Sequence, residues 1–220
     1  MALPKLKLGP AALVRKLMSR AKLFVVVPTQ SAVLQAYRLR HDRNATASER
    51  DMSASAARID FFDHLSPLRR WALRMWLGGV IEWRAEYAPF NYHVVAQIDG
   101  QRVGHVGIVD RITSIDGSPA RTGLVGGVFT DPRLRNQGLA TRLMERARDV
   151  MVDLGMKYGI LMCDSRLVPF YERFGWRVVD GPLIFDRGWG PQTSPSRTMV
   201  LPLQSDDIPS GTINVNGLPA

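Results

Sequence analysis

Cysteine is nearly absent: the 220-residue chain contains one, Cys163. A single thiol excludes a disulfide framework within the chain and fits a reducing compartment. Its setting after Gly159, Ile160, Leu161 and Met162 describes a buried strand thiol better than a nucleophile. Long hydrophobic runs are missing too. No stretch approaches the roughly 18 apolar residues of a membrane-spanning helix, and Lys5, Lys7, Arg15 and Lys16 interrupt the first apolar residues where a secretory signal needs a continuous core. The expected location is the cytoplasm. There is no internal repeat, and no metal is expected. Acidic residues are scarce, 20 Asp and Glu against 29 Lys and Arg, which leaves a net charge of +9.

That charge is uneven. Residues 1–50 hold ten Lys and Arg against Asp42 and Glu49, so nearly all the excess lies in the first quarter and the remainder is close to neutral. Pro10 opens a candidate helix whose apolar stripe is Leu13, Val14, Leu17 and Met18 and whose polar face carries Arg15, Lys16 and Arg20. Residues 1–21 therefore read as a basic amphipathic extension. It is either a surface helix or arm of the domain, or a contact for an anionic membrane surface or an acidic carrier protein, in which case the protein sits peripherally at the inner membrane face. With 45% apolar residues the chain can bury one sizeable core. We expect one domain over 22–203 and a tail over 204–220.

Residues 22–28 read as a first strand, with Thr29 capping a helix to about residue 40. Residues 44–57, rich in Ala, Ser and Thr, read as an exposed loop or lid. Ser66 and Pro67 open a second helix with Leu68, Trp71, Ala72, Met75 and Gly79 on one face and Arg69, Arg70 and Arg74 on another. Interleaved Arg and Trp suit nucleic acid as well, but a core-packed helix with a solvated basic face explains them more simply. From residue 91 the period becomes two: a hairpin about Asp99 and Gly100, then a turn at Asp116 and Gly117 into a third strand. Further strands are expected at 158–163, 177–180 and 198–203, with a short helix over 169–174. The order is mixed α/β (α+β).

The chemistry concentrates in residues 123–141. Leu124, Val125, Val128 and Phe129 form a buried strand that ends at Asp131 and Pro132. From Leu139 the apolar residues Leu143, Ala147, Val150, Met151 and Leu154 recur at helical spacing until Gly155. The result is strand, tight basic loop, helix. A helix start offers unpartnered N–H groups and partial positive charge, which suits a phosphate or pyrophosphate. Two glycines inside the strand, Gly126 and Gly127, cost β-propensity and point to a bulge or a close backbone approach, or simply to room for a packed helix.

The loop Arg135, Asn136, Gln137, Gly138, Leu139, Ala140 resembles the Arg/Gln-x-x-Gly-x-Gly/Ala loop of the GNAT superfamily of N-acetyltransferases. The preceding Asp131 and Pro132 match in spacing, and Phe170, Tyr171, Gly175 and Trp176 resemble the family's Phe-Tyr-x-x-x-Gly-aromatic segment. Gly175, Trp176, Gly181 and Pro182 are similar to the aminoglycoside 2'-N-acetyltransferases, and residues 209–213 are faintly similar to the tail of the nodulation N-acyltransferases.

The resemblance implies a central mixed sheet, flanked by helices, whose two parallel strands splay to admit an acyl-thioester. It implies acetyl-CoA or another acyl-thioester as cosubstrate and a small-molecule amine as acceptor. Arg135, Asn136, Gln137, Gly138, Leu139, Ala140 and Thr141 would hold the pyrophosphate, and the backbone of Val128 and Phe129 would face the thioester carbonyl. Tyr171 would be the general acid. Asp164 stands where many members have an Asn that touches the coenzyme, and an ionised carboxylate cannot donate as an amide does. The strand lacks the family's Glu, where Gly126 stands, which leaves Glu82, Glu86, Asp110, His93 and His105 as candidate bases; Glu82 and His105 are retained. The expected activity is acyl transfer, acetyl first, to a primary amine such as an aminosugar. The alternatives are a membrane-associated fatty N-acyltransferase fed by long-chain acyl-CoA or acyl carrier protein, and a binding or regulatory protein that keeps the fold. A homodimer is left open.

Overall fold

The structure is a computed structural model that describes residues 53–63, 66, 68, 69, 72, 73, 76, 77 and 87–220. The extension at 1–21, the first strand and helix, Glu82 and Glu86 lie outside the described residues.

Ten strands make one mixed sheet. Strand β1 (Arg58–Phe62) pairs antiparallel with β2 (Tyr92–Ile98), and β2 with β3 (Gln101–Ile115). The hairpin between β2 and β3 turns at Asp99 (φ 49°) and Gly100 (φ 77°), and the next, into β4 (Ser118–Thr130), turns at Asp116 (φ 48°) and Gly117 (φ 81°). Positive φ at both central residues matches the twist of the strands, and Asp-Gly supplies it at little cost. Both turns fall where the sequence predicts them. Helix α1 (Leu139–Asp153) then leads to β5 (Tyr158–Cys163), parallel to β4. After the short helix α2 (Val168–Glu172) come β6 (Arg177–Val178), β7 (Leu183–Asp186), β8 (Pro191–Thr193), β9 (Arg197–Pro202) and β10 (Ile213–Asn214). Strand β9 pairs with β5 and β6, while β10 joins the far end of β3 to β7.

Helix α1 ends as its sequence demands, with Gly155 in the left-handed region after Leu154. Its buried face is Leu139, Leu143, Met144, Ala147, Val150 and Met151. Glycines under it permit close packing: a Cβ on Gly104 would meet Leu143 Cδ1 at 2.6 Å, and one on Gly159 would meet the Trp176 ring at 2.9 Å. The opposite face of the sheet carries Val109, Leu124, Ile160, Leu183 and Phe185 in a second apolar cluster.

Three expectations change. In the helix over 66–77 Ser66 does cap, accepting from Arg69 N at 3.4 Å. Among its described residues, however, the buried ones are Leu73 and Leu77, against Val95, and Leu68 is 73% exposed. What these two pack on is a strand distant in sequence; Trp71, Met75 and Gly79, expected on the face of Leu68, lie outside the described residues. Strand β1 was not foreseen. The stretch 204–220, expected as a tail, instead enters the sheet: Ile213 N donates to Pro182 O (2.9 Å), Val215 N to Ile184 O (2.9 Å), Asp186 N to Gly217 O (2.9 Å) and Ala88 N to Pro219 O (2.7 Å). Among the described residues no helix is long and apolar enough to cross a membrane.

The entry of this last segment depends on Gly181, because a Cβ there would overlap the Gly211 carbonyl. Gly181→Ala should therefore destabilise the protein by about 1–3 kcal/mol in urea denaturation and make residues 204–220 more sensitive to limited proteolysis. Wild-type stability and cleavage would show that the crossing shifts freely.

Candidate active site

The site begins where β4 and β5 part. Their pairing covers Thr122 to Val125 against Tyr158 to Leu161, yet β4 runs on to Thr130 and β5 to Cys163. Just past the last pair, β4 is bulged. His105 pairs with Phe129 and Gly107 with Gly126, so Gly127 and Val128 together oppose Val106. A bulge leaves one residue out of the ladder and re-aims its backbone. Gly127 takes φ 58°, and a Cβ on it would stand 2.9 Å from the Phe90 ring, so conformation and space both require glycine. The paired glycines of the sequence thus open a bulge, at Gly127 and Val128 opposite Val106.

Under the bulge lies a buried histidine pair. His105 Nδ1 is 2.8 Å from Gly127 O, and His105 Nε2 is 3.0 Å from His93 Nδ1. A carbonyl only accepts, so His105 Nδ1 carries the hydrogen; its Nε2 then accepts from His93 Nδ1–H. Phe90 and Trp76 pack on the His105 ring, which is 0% exposed. Burial, reinforced by the charge of a protonated His93, pushes its pKa down to about 3 against the pull of the Gly127 carbonyl. Both nitrogens of His105 are thus engaged, and the ring has no access to solvent. Asp110 is also committed: Arg121 donates to it at 2.7 and 3.1 Å, and Tyr92 Oη at 3.4 Å.

Beyond β4 the chain makes the loop. Asp131, 1% exposed, accepts from Arg133 N, Nε and Nη2 at 2.9, 3.1 and 2.8 Å and so fixes the turn Pro132–Leu134. Asn136 (φ 62°) and Gly138 (φ 78°) are left-handed, and Arg135 to Gly138 are exposed while Leu139 is anchored in the core. A Cβ on Gly138 would meet nothing within 4 Å, so the start of the 15-residue α1 faces open space. One loop side chain is committed elsewhere: Gln137 Oε1 accepts from Ala54 N (3.0 Å). On the helix, Arg142 donates to Ala54 O (2.8 Å) and Ala57 O (2.7 Å). The turn Ala54–Ala56, expected as part of a lid, is thereby tied to the loop.

Tyr171, on α2, is 7% exposed and packs in the core with Phe170 and Trp176. Burial, with a smaller contribution from Cys163, raises its pKa to about 12. Asp164 is engaged locally. It caps the turn Ser165–Leu167 and holds Arg166 at 2.9 to 3.0 Å, and these hydrogen bonds lower its pKa to about 2.

One participant had no signal in the sequence. A Cβ on Gly126 would lie 2.7 Å from the carbonyl carbon of Ala220, so the end of the last segment rests on the strand beside the bulge. Its proximity to Gly126 spans 94 positions and leaves no local pattern.

The comparisons agree with this geometry. The sequence matches the acetyltransferase (GNAT) domain over residues 69–179, half of the chain. A GNAT family N-acetyltransferase, YhbS of Escherichia coli, solved in complex with CoA, is similar at 19% identity over 73% of this chain and 90% of its own, with a TM-score of 0.52. A putative N-acetyltransferase of Lactobacillus plantarum is similar at 19% identity over 67% of this chain and 99% of its own, with a TM-score of 0.50. These two likenesses show the fold. With the domain match, they establish that the chain belongs to the GNAT acetyltransferase family.

Proposed function

We propose that the protein transfers an acetyl group from acetyl-CoA to a primary amine of a small molecule, with aminosugars as the first acceptor class to test. The observation that carries this reading is the bulge at Gly127 and Val128 beside the parted strands, with an exposed helix-opening loop at the end of the same strand.

The residues fit the cosubstrate. The backbone amides of 135–141 suit a pyrophosphate, since Gly138 leaves the approach open and α1 adds the partial charge of its first turn. The amide of Val128, re-aimed by the bulge, would donate to the thioester oxygen as it gains negative charge, and a fixed donor there costs no reorganisation. Tyr171, with its pKa raised, stays protonated at neutral pH and would donate a hydrogen bond to the departing thiolate. Asp164 holds Arg166 and is assigned no donor role. For the acceptor's proton, His93, hydrogen-bonded through Nδ1 to His105, and Glu82 are the remaining groups. His105 is then a positioning residue that fixes the His93 tautomer.

Release of free thiol from acetyl-CoA with a panel of aminosugars and simple primary amines tests the reading. Gly138→Asp puts bulk and negative charge at the loop and should weaken coenzyme A binding by more than tenfold in calorimetry, with the melting transition of the free protein retained; unchanged affinity would remove the loop from the site. Tyr171→Phe should lower kcat by on the order of 10²-fold with coenzyme affinity unchanged. A kcat within twofold of wild type, where chemistry limits turnover, would reduce Tyr171 to packing.

The histidine pair makes a separate prediction. A depressed folded-state pKa means that the unfolded chain binds a proton that the folded chain does not, once pH falls below 6.5 and until it nears 3. Stability from His105 is complete above pH 6.5 and declines on acidification, by on the order of 2 kcal/mol between pH 6.5 and 5. Urea denaturation at those two pH values should show that loss in wild type and not in His105→Gln. Equal losses in both would mean that His105 is protonated in the fold.

A further inference from the structure

The last segment of the chain occupies a place that bears on the acyl donor. From Val215 to Ala220 it runs across the sheet face opposite α1 and is held at several points. Arg111 Nη1 donates to Leu218 O (2.7 Å) and Val215 O (3.2 Å), Asp186 N donates to Gly217 O, and Ala88 N donates to Pro219 O. The Arg111 guanidinium is partly desolvated, which lowers its pKa. Its end lies on Gly126, where a side chain could not coexist with the Ala220 backbone.

Gly126 is the first residue of β4 beyond the last pair with β5, and the next residue opens the bulge. Among the described residues, a group whose carbonyl oxygen meets the backbone at the bulge has beside it an apolar space over the last pairs of β4 with β5, lined by Leu124, Ile160 and Met162. There Val215, Pro219, Ala220 and Leu183 close the space to about 10 Å³, no more than one water requires.

We infer that residues 215–220 set the acyl specificity of the enzyme: they close the apolar space behind the bulge, so that an acyl group of two or three carbons fits at the bulge itself and a medium chain has nowhere to extend. The inference rests on the acyl-CoA reading above. The absence of a side chain at Gly126 is part of the device, because it lets the segment lie flat on the strand. Arg111 is its clasp, 15 positions from Gly126 in sequence and outside the reacting groups.

The test compares binding of coenzyme A, acetyl-CoA and octanoyl-CoA to the full chain by calorimetry, in wild type, Arg111→Met and Pro219→Gly. Arg111→Met keeps much of the side-chain bulk and removes both hydrogen bonds; Pro219→Gly removes a ring from the stopper and loosens the backbone. Wild type should bind octanoyl-CoA no tighter than coenzyme A, because the chain finds no apolar room. Arg111→Met should bind acetyl-CoA as wild type does, and each variant should bind octanoyl-CoA at least tenfold tighter than coenzyme A, since a seated chain is withdrawn from water. Wild type already showing that tenfold preference, or folded variants keeping the wild-type ratio, would overturn the inference while leaving the acetyltransferase reading intact. If no variant and no wild type binds coenzyme A, both fall together. A cooperative melting transition certifies each variant, and the loss of one leaves the other to decide.

Discussion

Strand β4 must satisfy two neighbours that ask different things of it. Up to Val125 it is hydrogen-bonded to β3 on one side and to β5 on the other; beyond that residue β5 leaves, and β4 continues on β3 alone. A buried strand that loses a partner exposes backbone donors and acceptors that cost free energy unless something meets them. Here the bulge at Gly127 and Val128 redirects them. The Gly127 carbonyl turns to His105, and the segment around Ala220 covers Gly126. A thioester carbonyl would supply the acceptor that the remaining amides call for. The glycine at 127, the histidine beneath it and the strap across Gly126 are therefore three responses to one break in a ladder.

The same break orders the two faces of the sheet. On one, α1 packs so closely that a side chain on Gly104 would have to displace Leu143, and this contact sets the helix against β3. Asp131 makes the hinge between them rigid: it is buried, pairs with the neighbouring Arg133, and caps the turn that follows. A charged pair so placed contributes little as net attraction. Its effect is geometric, since breaking it would leave a carboxylate buried at the root of the loop. On the other face, aromatic rings stand in for carboxylates. Phe90 lies against Gly107, Gly127, His93 and His105, and Trp76 against His105 and Phe129.

What could be read in the sequence divides along that line. The turns at Asp99 and Asp116, the span of α1 and its stop at Gly155, and strand β5 all follow from local chemistry, and the structure places them within a residue or two. The loop of residues 135–141 and the bulge were legible because glycine at a costly position is itself a signal. What was not legible depends on contacts between distant segments. Strand β10 is two residues long and too short to have a period, and the burial of Leu73 and Leu77 depends on Val95, a residue of another strand. His93 and His105 stood as separate candidates, and only the antiparallel register of β2 on β3 makes them a pair.

That pair also bears on how an amine could react here without a carboxylate in β4. Burial lowers the pKa of His105 because the surroundings solvate a cation poorly. An ammonium group brought beside the same rings would meet the same penalty, and its pKa would move in the same direction. If the acceptor amine seats against Phe90 and His93, desolvation would push it toward its neutral, nucleophilic form, with less left for a base to do. An unpaired carboxylate on β4 would oppose that effect by stabilising the cation through charge. In that case glycine at 126, in place of a carboxylate, would leave surroundings that favour neutral amines by being apolar.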